Sequence, residues 1–232
     1  VAVWEGIRRT HAAPPDQASP LRPPELQTVL ANCPITRTWR TTGRSPEADR
    51  GGARDRALLL VGFVAALRRS ELSALDVQHI AEHANGLVLA LPRSKTNQRG
   101  ENNELVVLPR AGDTDLCPVT ALRAWFALAG ITDGPVFRPV GKNNRPLPRR
   151  LSAGAVNDLV QQAIARAGID RAGKRDWSAH SLRAGFVTYA HERGASDRAI
   201  AHQTRHRSLA SVGTYVRVEN AWKNNAATQL GL

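Results

Sequence analysis

Residues 57–76 read ALLLVGFVAALRRSELSALD, an apolar run that passes directly into a polar one. The apolar run, 57–67, has 11 residues and is too short to cross a bilayer. Its length and composition instead predict a helix over Arg54–Leu67 whose side chains are buried. A chain of 232 residues with 42% hydrophobic residues can build a packed core around such a helix without disulfides or metals.

The polar part of this stretch contains a junction between two helices. Ser70 is a favourable N-cap for a short second helix that ends at Leu75. Arg68 lies at the junction, and Glu71 follows it by three residues, a spacing at which a carboxylate can orient a guanidinium. The other interpretation is a helix-joining turn with a surface ion pair that contributes little stability.

The residues after this junction predict a small sheet. Asn85-Gly86 is a hairpin signal between the segments VQHIAEH and LVLAL, and a second turn, SKTNQRGENN at 94–103, leads into ELVVLP. Further helices are predicted at Pro24–Ala31, Val119–Ala129, Ala155–Gly168, Ser181–Arg193, Asp197–Gln203 and Leu209–Val218, and an exposed loop at 34–53. The predicted fold class is therefore mainly α with one small three-stranded antiparallel sheet.

Residues 177–194, WSAHSLRAGFVTYAHERG, predict a helix with a phosphate site at its start. Ser178 can cap the start and Gly194 can end the helix. His180 and Arg183 are three residues apart, so they share a face near the helix N-terminus, a favourable place for an anion. The other interpretation is a capped helix whose histidine and arginine face solvent.

The chain has two tyrosines, and they differ in predicted exposure. Leu182, Phe186 and Tyr189 have the spacing of a buried stripe on the predicted helix. At 100° per residue, Tyr189 lies about 180° round the helix from His180. Tyr189 is therefore predicted to be a core residue, which leaves Tyr215, at the end of the segment RHRSLASVGTY, as the exposed tyrosine.

The charge of the chain indicates a polyanionic partner. The formal net charge is +12, and nearly all of the 32 basic residues are arginines, since there are only four lysines. Nucleic acid is the first candidate for the partner. A bias toward arginine on a solvated surface would produce the same composition. We interpret Cys33 and Cys117, which lie far apart in sequence, as reduced thiols of a cytosolic protein.

Five short motifs stand in an order that resembles a known family. They are LRRSEL at 67–72, RSKT at 93–96, HSLR at 180–183, RHRSL at 205–209 and Tyr215. In this order and spacing the chain resembles the catalytic domain of the tyrosine recombinases, the phage integrase family. The resemblance covers residues 21–232. Residues 1–20, polar and with three prolines, are interpreted as a linker, the remnant of a missing N-terminal core-binding domain.

The resemblance implies a nucleophile and its cationic partners. Tyr215 would attack a DNA phosphodiester and form a 3′-phosphotyrosyl bond, while Arg68 and Arg183 would hold the non-bridging oxygens. Glu71 would orient Arg68. These residue types suit the chemistry, because a phosphorus centre with five oxygens needs fixed cationic donors and arginine donates in bidentate form.

The resemblance also implies proton transfer. His180 would act as general acid and base toward Tyr215, and Lys95 would protonate the leaving 5′-oxygen, while His206 would hydrogen-bond the phosphate. A phenol has a pKa near 10, so at pH 7 it needs a base or a strong positive field to act as a nucleophile. The covalent intermediate would conserve the bond energy, so no ATP, metal or other cofactor is expected.

A partner and a place of action follow from the same resemblance. The partner would be double-stranded DNA, bound by a tetramer, in the bacterial cytoplasm and associated with the nucleoid, with no membrane involved. Four further residues are candidate DNA contacts: Arg69, Arg93, Arg205 and Arg207. Arg205 departs from the family pattern, which usually has glycine directly before the second histidine. If that position needs a left-handed backbone, arginine costs on the order of 1–2 kcal/mol there.

Three alternatives compete with an active recombinase. An integrase remnant would bind DNA but would have lost catalysis, and an enzyme similar to type IB topoisomerases would share the chemistry. The third is a zinc peptidase, since His79-Ile-Ala-Glu82-His83 matches an H-x-x-E-H pattern. That motif needs a helix, whereas this segment runs into the predicted hairpin and is predicted to be a strand.

Overall fold

The computed structural model describes residues 18–39, 43–91, 104–112, 115–169 and 177–205. Its helices in this part of the chain are α1 Pro23–Ala31, α2 Arg50–Val64, α3 Arg69–Ala74, α4 Pro118–Ala129, α5 Ala153–Arg166, α6 His180–Glu192 and α7 Asp197–Thr204. Its strands are β1 Thr36–Arg37, β2 Glu47–Ala48, β3 Ile80–His83, β4 Gly86–Leu91 and β5 Glu104–Pro109. The predicted fold class is confirmed, because β3, β4 and β5 form one antiparallel sheet in that order. The helix predicted at Leu209–Val218 lies outside the described residues.

Helix α2 begins at Arg50, four residues before the predicted start. The Asp49 carboxylate caps it by accepting a hydrogen bond from the N–H of Gly52 at 2.8 Å. A Cβ at Gly52 would lie 1.7 Å from the carbonyl oxygen of Pro34, so this glycine permits a close approach rather than breaking a helix. The segment predicted as a loop also contains the short pair β1–β2.

Helix α3 begins at Arg69, so the prediction that Ser70 caps it is wrong. The residue before the helix is Arg68, and the Glu71 carboxylate accepts a hydrogen bond from its backbone N–H at 2.8 Å. This contact is one half of a capping box. The start of α3 is therefore stabilised by the Glu71 carboxylate, and not by the Ser70 hydroxyl that the sequence suggested.

The three-stranded sheet is built on a hairpin close to the predicted position. His83 pairs with Gly86, so the turn residues are Ala84 and Asn85, one position earlier than predicted. Gly86 has a φ of 151°, and a Cβ there would lie 2.0 Å from the carbonyl oxygen of Leu108, so only glycine fits. The buried leucines and valine of β4 and β5 face the helices: Leu87, Leu89, Leu91, Val106 and Leu108.

Helix α2 forms the centre of the core and packs against α4, α5 and α6. Trp125 of α4 is completely buried, and its Nε1 donates to the carbonyl oxygen of Val136 at 2.8 Å. Near its C-terminal end, α2 meets α3 and α6 at Gly62, where a Cβ would lie 2.9 Å from Leu182 and 3.2 Å from Leu72. This close packing brings the ends of three helices together. No helix among the described residues is long and apolar enough to cross a membrane.

The apolar stripe on α6 is shorter than predicted. Leu182 is completely buried, and Phe186 packs edge-on against Phe63 of α2 with ring centroids 6.2 Å apart. Tyr189 is 37% exposed, so the prediction that it is a core residue is wrong. Phe186 still packs against the core, and Tyr189 lies three residues further along α6. Its position about 180° round the helix from His180 is unchanged, since that follows from helix geometry.

Gly185 of α6 allows a close backbone contact, and its replacement tests the packing. The N–H of Leu21 donates to the carbonyl oxygen of Ser181 at 2.9 Å, and a Cβ at Gly185 would lie 1.9 Å from the carbonyl oxygen of Leu21. We expect Gly185→Ala to lower the free energy of unfolding by about 1–3 kcal/mol, because α6 must move away from this backbone. Urea denaturation measures the change.

Gly154 supplies the matched control for this substitution. It lies in the first turn of α5, is exposed, and a Cβ there would meet Ser152 Oγ at an ordinary 3.7 Å. Gly154→Ala should leave stability unchanged or raise it by up to about 1 kcal/mol, since alanine is the better helix former. Equal losses of stability in the two variants would contradict the packing argument.

Candidate active site

The turn between α2 and α3 presents Arg68 beside Glu71. Arg68 Nη1 donates to Glu71 Oε1 at 2.7 Å, and the carboxylate also accepts from the backbone N–H of Arg68. The Glu71 side chain is 2% exposed and the Arg68 side chain 25% exposed. A pair in this position is not a solvated surface ion pair, so the orienting role predicted for Glu71 has a geometric basis.

Arg183 joins this turn to the end of α7. Its side chain lies in the first turn of α6 and the residue is 1% exposed. Nη1 donates to the carbonyl oxygen of Ala66 at 2.7 Å, and Nη2 donates to that of Thr204 at 2.5 Å. One buried guanidinium therefore fixes two chain segments whose carbonyl oxygens lie at helix ends.

His180 is the first residue of α6 and lies near both arginines. Ser178 Oγ accepts from its backbone N–H at 3.2 Å, although the residue before the helix is Ala179 rather than the predicted cap Ser178. The residue is exposed, yet desolvation of its ring lowers its pKa below the ordinary 6.5, and the charges of Arg183 and Arg68 lower the pKa further. At neutral pH the imidazole is therefore uncharged.

Arg205 directly follows α7 and has left-handed backbone dihedrals, φ 57° and ψ 42°. Since this position does have a left-handed backbone, the arginine there costs on the order of 1–2 kcal/mol. Its side chain is 6% exposed: Nη2 contacts Glu71 Oε2 at 2.6 Å and Nε lies 3.4 Å from Glu104 Oε2. Burial lowers the pKa of Arg205, an effect opposed by the Glu71 carboxylate.

The structure brings together four of the predicted site residues: Arg68, Glu71, His180 and Arg183. Arg69 is exposed in the first turn of α3, whereas Arg68 is the arginine that donates to Glu71, and the choice of Arg68 as the site residue stays a prediction. The Arg205 side chain is buried against Glu71, a position that does not favour contact with DNA. Its role as a DNA contact stays a prediction. The other predicted residues lie outside the described part of the chain: Arg93, Lys95, His206, Arg207 and Tyr215.

Three contacts in the site have no signal in the sequence. Glu104, the first residue of β5, approaches Arg205 across 101 residues of chain, and the carbonyl oxygens that hold Arg183 carry no side-chain identity at all. In the sequence, the unusual arginine before His206 indicates only a cost to the backbone. Its buried partners became evident from the fold alone.

The zinc-peptidase alternative finds no support in the described residues. His79 ends a short 3₁₀ helix, and Ile80–His83 is strand β3, as predicted. His79 Nδ1 accepts from the backbone N–H of Asp76 at 3.1 Å, and Glu82 pairs with Arg123 at 2.6 Å. Across the described ranges, no three histidine, cysteine or acidic side chains are grouped closely enough to hold a metal ion.

Solved structures define the class of this fold. XerH site-specific recombinase bound to palindromic difH substrate superposes with a TM-score of 0.62 at 17% identity, over 90% of this chain and 52% of that one. The lambda integrase catalytic core superposes with a TM-score of 0.53 at 16% identity, over 82% of this chain and 93% of that core. At these identities the likeness concerns the fold, which is that of tyrosine recombinase catalytic domains.

Sequence comparison then assigns the family. Residues 39–221 match the phage integrase family, and the chain belongs to it. An integrase/recombinase xerD homolog of Selenomonas ruminantium is 34% identical over 179 residues, 77% of this chain and 51% of that protein. Tyrosine recombinase XerC of Azotobacter vinelandii is 28% identical over 208 residues, 88% of this chain and 62% of that protein. The chain thus spans between half and two thirds of the length of these relatives.

The neutral state of His180 leads to a prediction about its titration. We expect a pKa below 6.5 for the wild-type imidazole and a higher pKa in Arg68→Gln, because a neighbouring positive charge is removed. The folded chain takes up this proton less readily than the unfolded chain, so stability falls as the pH drops from above 6.5 through the folded-state pKa. NMR titration of the histidine ring protons measures both values.

Arg198→Gln is the control for that titration. Arg198 is exposed on α7 and is not among the charges that shift His180. Its replacement should leave the pKa of His180 where it is in the wild type. A pKa that stays the same in Arg68→Gln, or moves equally in both variants, would refute the proposed coupling between Arg68 and His180.

Proposed function

We propose that residues 21–232 form the catalytic domain of a site-specific DNA recombinase that cuts and rejoins strands through Tyr215. The observation that carries the proposal is the meeting of Arg68, His180 and Arg183 where the ends of α2, α6 and α7 come together. Two cations and a neutral imidazole at one place suit a phosphodiester that is being attacked. Membership of the phage integrase family supports the same reaction.

In the proposed cleavage step, the Tyr215 oxygen attacks phosphorus while its proton passes to His180. The new O–P bond joins Tyr215 to the 3′-phosphate, the bond from phosphorus to the 5′-oxygen breaks, and Lys95 protonates the departing oxygen. Proton transfer of this kind contributes roughly 10²–10⁴ in rate. His180 is suited to accept the proton because its lowered pKa leaves it neutral at pH 7.

The arginines would stabilise the charge that develops on the non-bridging oxygens, together with a hydrogen bond from His206. Arg183 is anchored by two backbone carbonyls, so its guanidinium is fixed before the substrate arrives. Fixed donors are effective because they need no reorganisation when the charge develops. Rejoining reverses the step, with a 5′-hydroxyl attacking the phosphotyrosine, and consumes no ATP. No metal is required at any stage.

Double-stranded DNA is the proposed partner. The net charge of +12 suits a polyanion, and the comparison structures include a lambda integrase dimer bound to a core site and a lambda integrase tetramer bound to a Holliday junction. We infer that this chain likewise works as a tetramer on DNA, in the bacterial cytoplasm and associated with the nucleoid. The chain spans 51% and 62% of the length of two relatives. Binding and assembly on DNA are activities of whole proteins in this family, so for this chain they are proposals.

The position of Arg205 favours a second candidate, an integrase remnant that binds DNA without cutting it. Its left-handed backbone is strained for an arginine and directly precedes His206. Both candidates predict DNA binding that weakens steeply with salt. Only the enzyme forms a covalent bond to DNA, so adduct formation separates them. Plasmid relaxation without exchange of strands between two duplexes would instead favour the topoisomerase-like alternative.

The two tyrosines allow a direct test of the nucleophile. We expect the wild type to form a denaturation-resistant adduct with nicked duplexes of randomised sequence, and Tyr215→Phe to form none, since the attacking oxygen is gone. Tyr189→Phe should form the adduct at the wild-type level, because Tyr189 lies on the side of α6 opposite His180. Denaturing gels of labelled DNA measure the product, and EDTA should not reduce it.

Each other pattern of adducts has a defined meaning. An adduct that persists in Tyr215→Phe but disappears in Tyr189→Phe would show that the nucleophile is Tyr189 and that the proposed role of Tyr215 is wrong. Binding to DNA without any adduct in the wild type would favour the remnant. Loss of the adduct in EDTA would contradict the metal-free mechanism.

A further inference from the structure

Glu71 is a buried carboxylate shared by two arginines. Its side chain is 2% exposed, Oε1 accepts from Arg68 Nη1 at 2.7 Å, and Oε2 accepts from Arg205 Nη2 at 2.6 Å. Oε2 also accepts from the backbone N–H of Arg68 at 2.8 Å. The carboxylate therefore has two cationic partners, although the proposed reaction assigns a phosphate to only one of them.

The two arginines are held very differently. The Arg68 side chain is 25% exposed, and among the described residues it donates a hydrogen bond only to Glu71. The Arg205 side chain is 6% exposed, donates to the carbonyl oxygen of Gln203 at 3.0 Å and lies 3.4 Å from the Glu104 carboxylate. Arg68 can turn toward a ligand, whereas Arg205 is fixed in the interior.

We propose that Arg205 is a positioning residue that serves as the permanent counterion of Glu71 and thereby leaves Arg68 available to a phosphate. The inference rests on the proposed function, and it gives Arg205, which departs from the family pattern, a role in that function. Arg205 itself does not contact the phosphate. It acts through Glu71 on the guanidinium that does.

The physical reason is the cost of an unpaired charge in the interior. If Arg68 were the only cation beside Glu71, its movement to a phosphate would leave a buried carboxylate without a counterion, which is strongly unfavourable. Glu71 would then compete with the phosphate for Arg68. With Arg205 in place, Glu71 keeps one cation and one backbone N–H when Arg68 turns away. The same ion pair helps to hold an arginine in a backbone conformation that it rarely adopts.

Arg205→Gly isolates the effect of the charge. Glycine accepts φ 57° without strain, so the turn after α7 keeps its shape while Glu71 loses its fixed counterion. We expect this variant to need about tenfold more inorganic phosphate for half-saturation, a change typical of one coupled charge pair. The readout is the NMR shift of the His180 ring protons during a phosphate titration, since phosphate bound at Arg68 raises the pKa of the imidazole beside it.

A double variant separates this role from a structural one. In Glu71→Gln with Arg205→Gly, the carboxylate that would retain Arg68 is gone, so phosphate binding should return to within about threefold of the wild type. A merely structural role for Arg205 predicts that the double variant binds as weakly as the single one or more weakly. Arg198→Gln, an exposed change on α7, should bind phosphate like the wild type.

The outcomes distinguish this inference from the proposed function. Phosphate binding in Arg205→Gly equal to the wild type, no recovery in the double variant, or no phosphate-dependent shift of His180 in the wild type would each overturn the role of Arg205. A wild type that binds phosphate as expected, with the recovery in the double variant, but forms no covalent adduct with DNA would overturn the proposed function and support the role of Arg205 as counterion.

Discussion

The buried guanidinium of Arg183 is the interaction on which the site depends. It donates to the carbonyl oxygens of Ala66 and Thr204, at the C-terminal ends of α2 and α7, while its own backbone lies in the first turn of α6. Buried arginines and helix-end carbonyls both need partners, so each satisfies the other. As a result Arg183 holds three helix ends together, and this arrangement fixes the positions of Arg68 and His180.

Several other arginines in the described part of the chain also pair with carboxylates of the same chain. Arg54 and Arg166 share the buried carboxylate of Asp55, at 2.6 and 3.0 Å. Arg150 pairs with Asp76 and also donates to the carbonyl oxygen of Ser73. An arginine that bridges a carboxylate and a backbone carbonyl stabilises loop packing and offers less charge to an outside partner. Such pairs already cancel in the formal net charge, so the value of +12 counts only the basic residues in excess of the acidic ones.

Local patterns in the sequence predicted the fold well where a local force dominates. The apolar run in α2, the hairpin before Gly86 and the pairing of Arg68 with Glu71 all depend on residues within a few positions of each other. Other errors arose where distant residues decide. Gly52 looked like a loop residue because the contact with Pro34 that requires a glycine is absent from any local pattern.

The predicted burial of Tyr189 failed for a related reason. Helical phase shows which side of α6 a residue occupies, but not how far along the axis the partner helix extends. Phe186 packs against Phe63 of α2, whereas the next position in the stripe, Tyr189, is open to solvent. Arg205 shows a similar limit. Its left-handed backbone can be anticipated from the local sequence, but its carboxylate partners, Glu71 and Glu104, lie 134 and 101 positions earlier in the chain.

The carbonyl of Ala66 that holds Arg183 lies 117 positions away from it in the chain. A contact between such distant positions requires the intervening chain to close into a loop, which has an entropic cost that a local contact does not have. A chain still emerging from synthesis, or one opened at α6, has Arg68 on a separate segment from His180 and Arg183. The grouping that suits phosphate chemistry therefore exists only in the completed domain, and incompletely folded copies do not contain it.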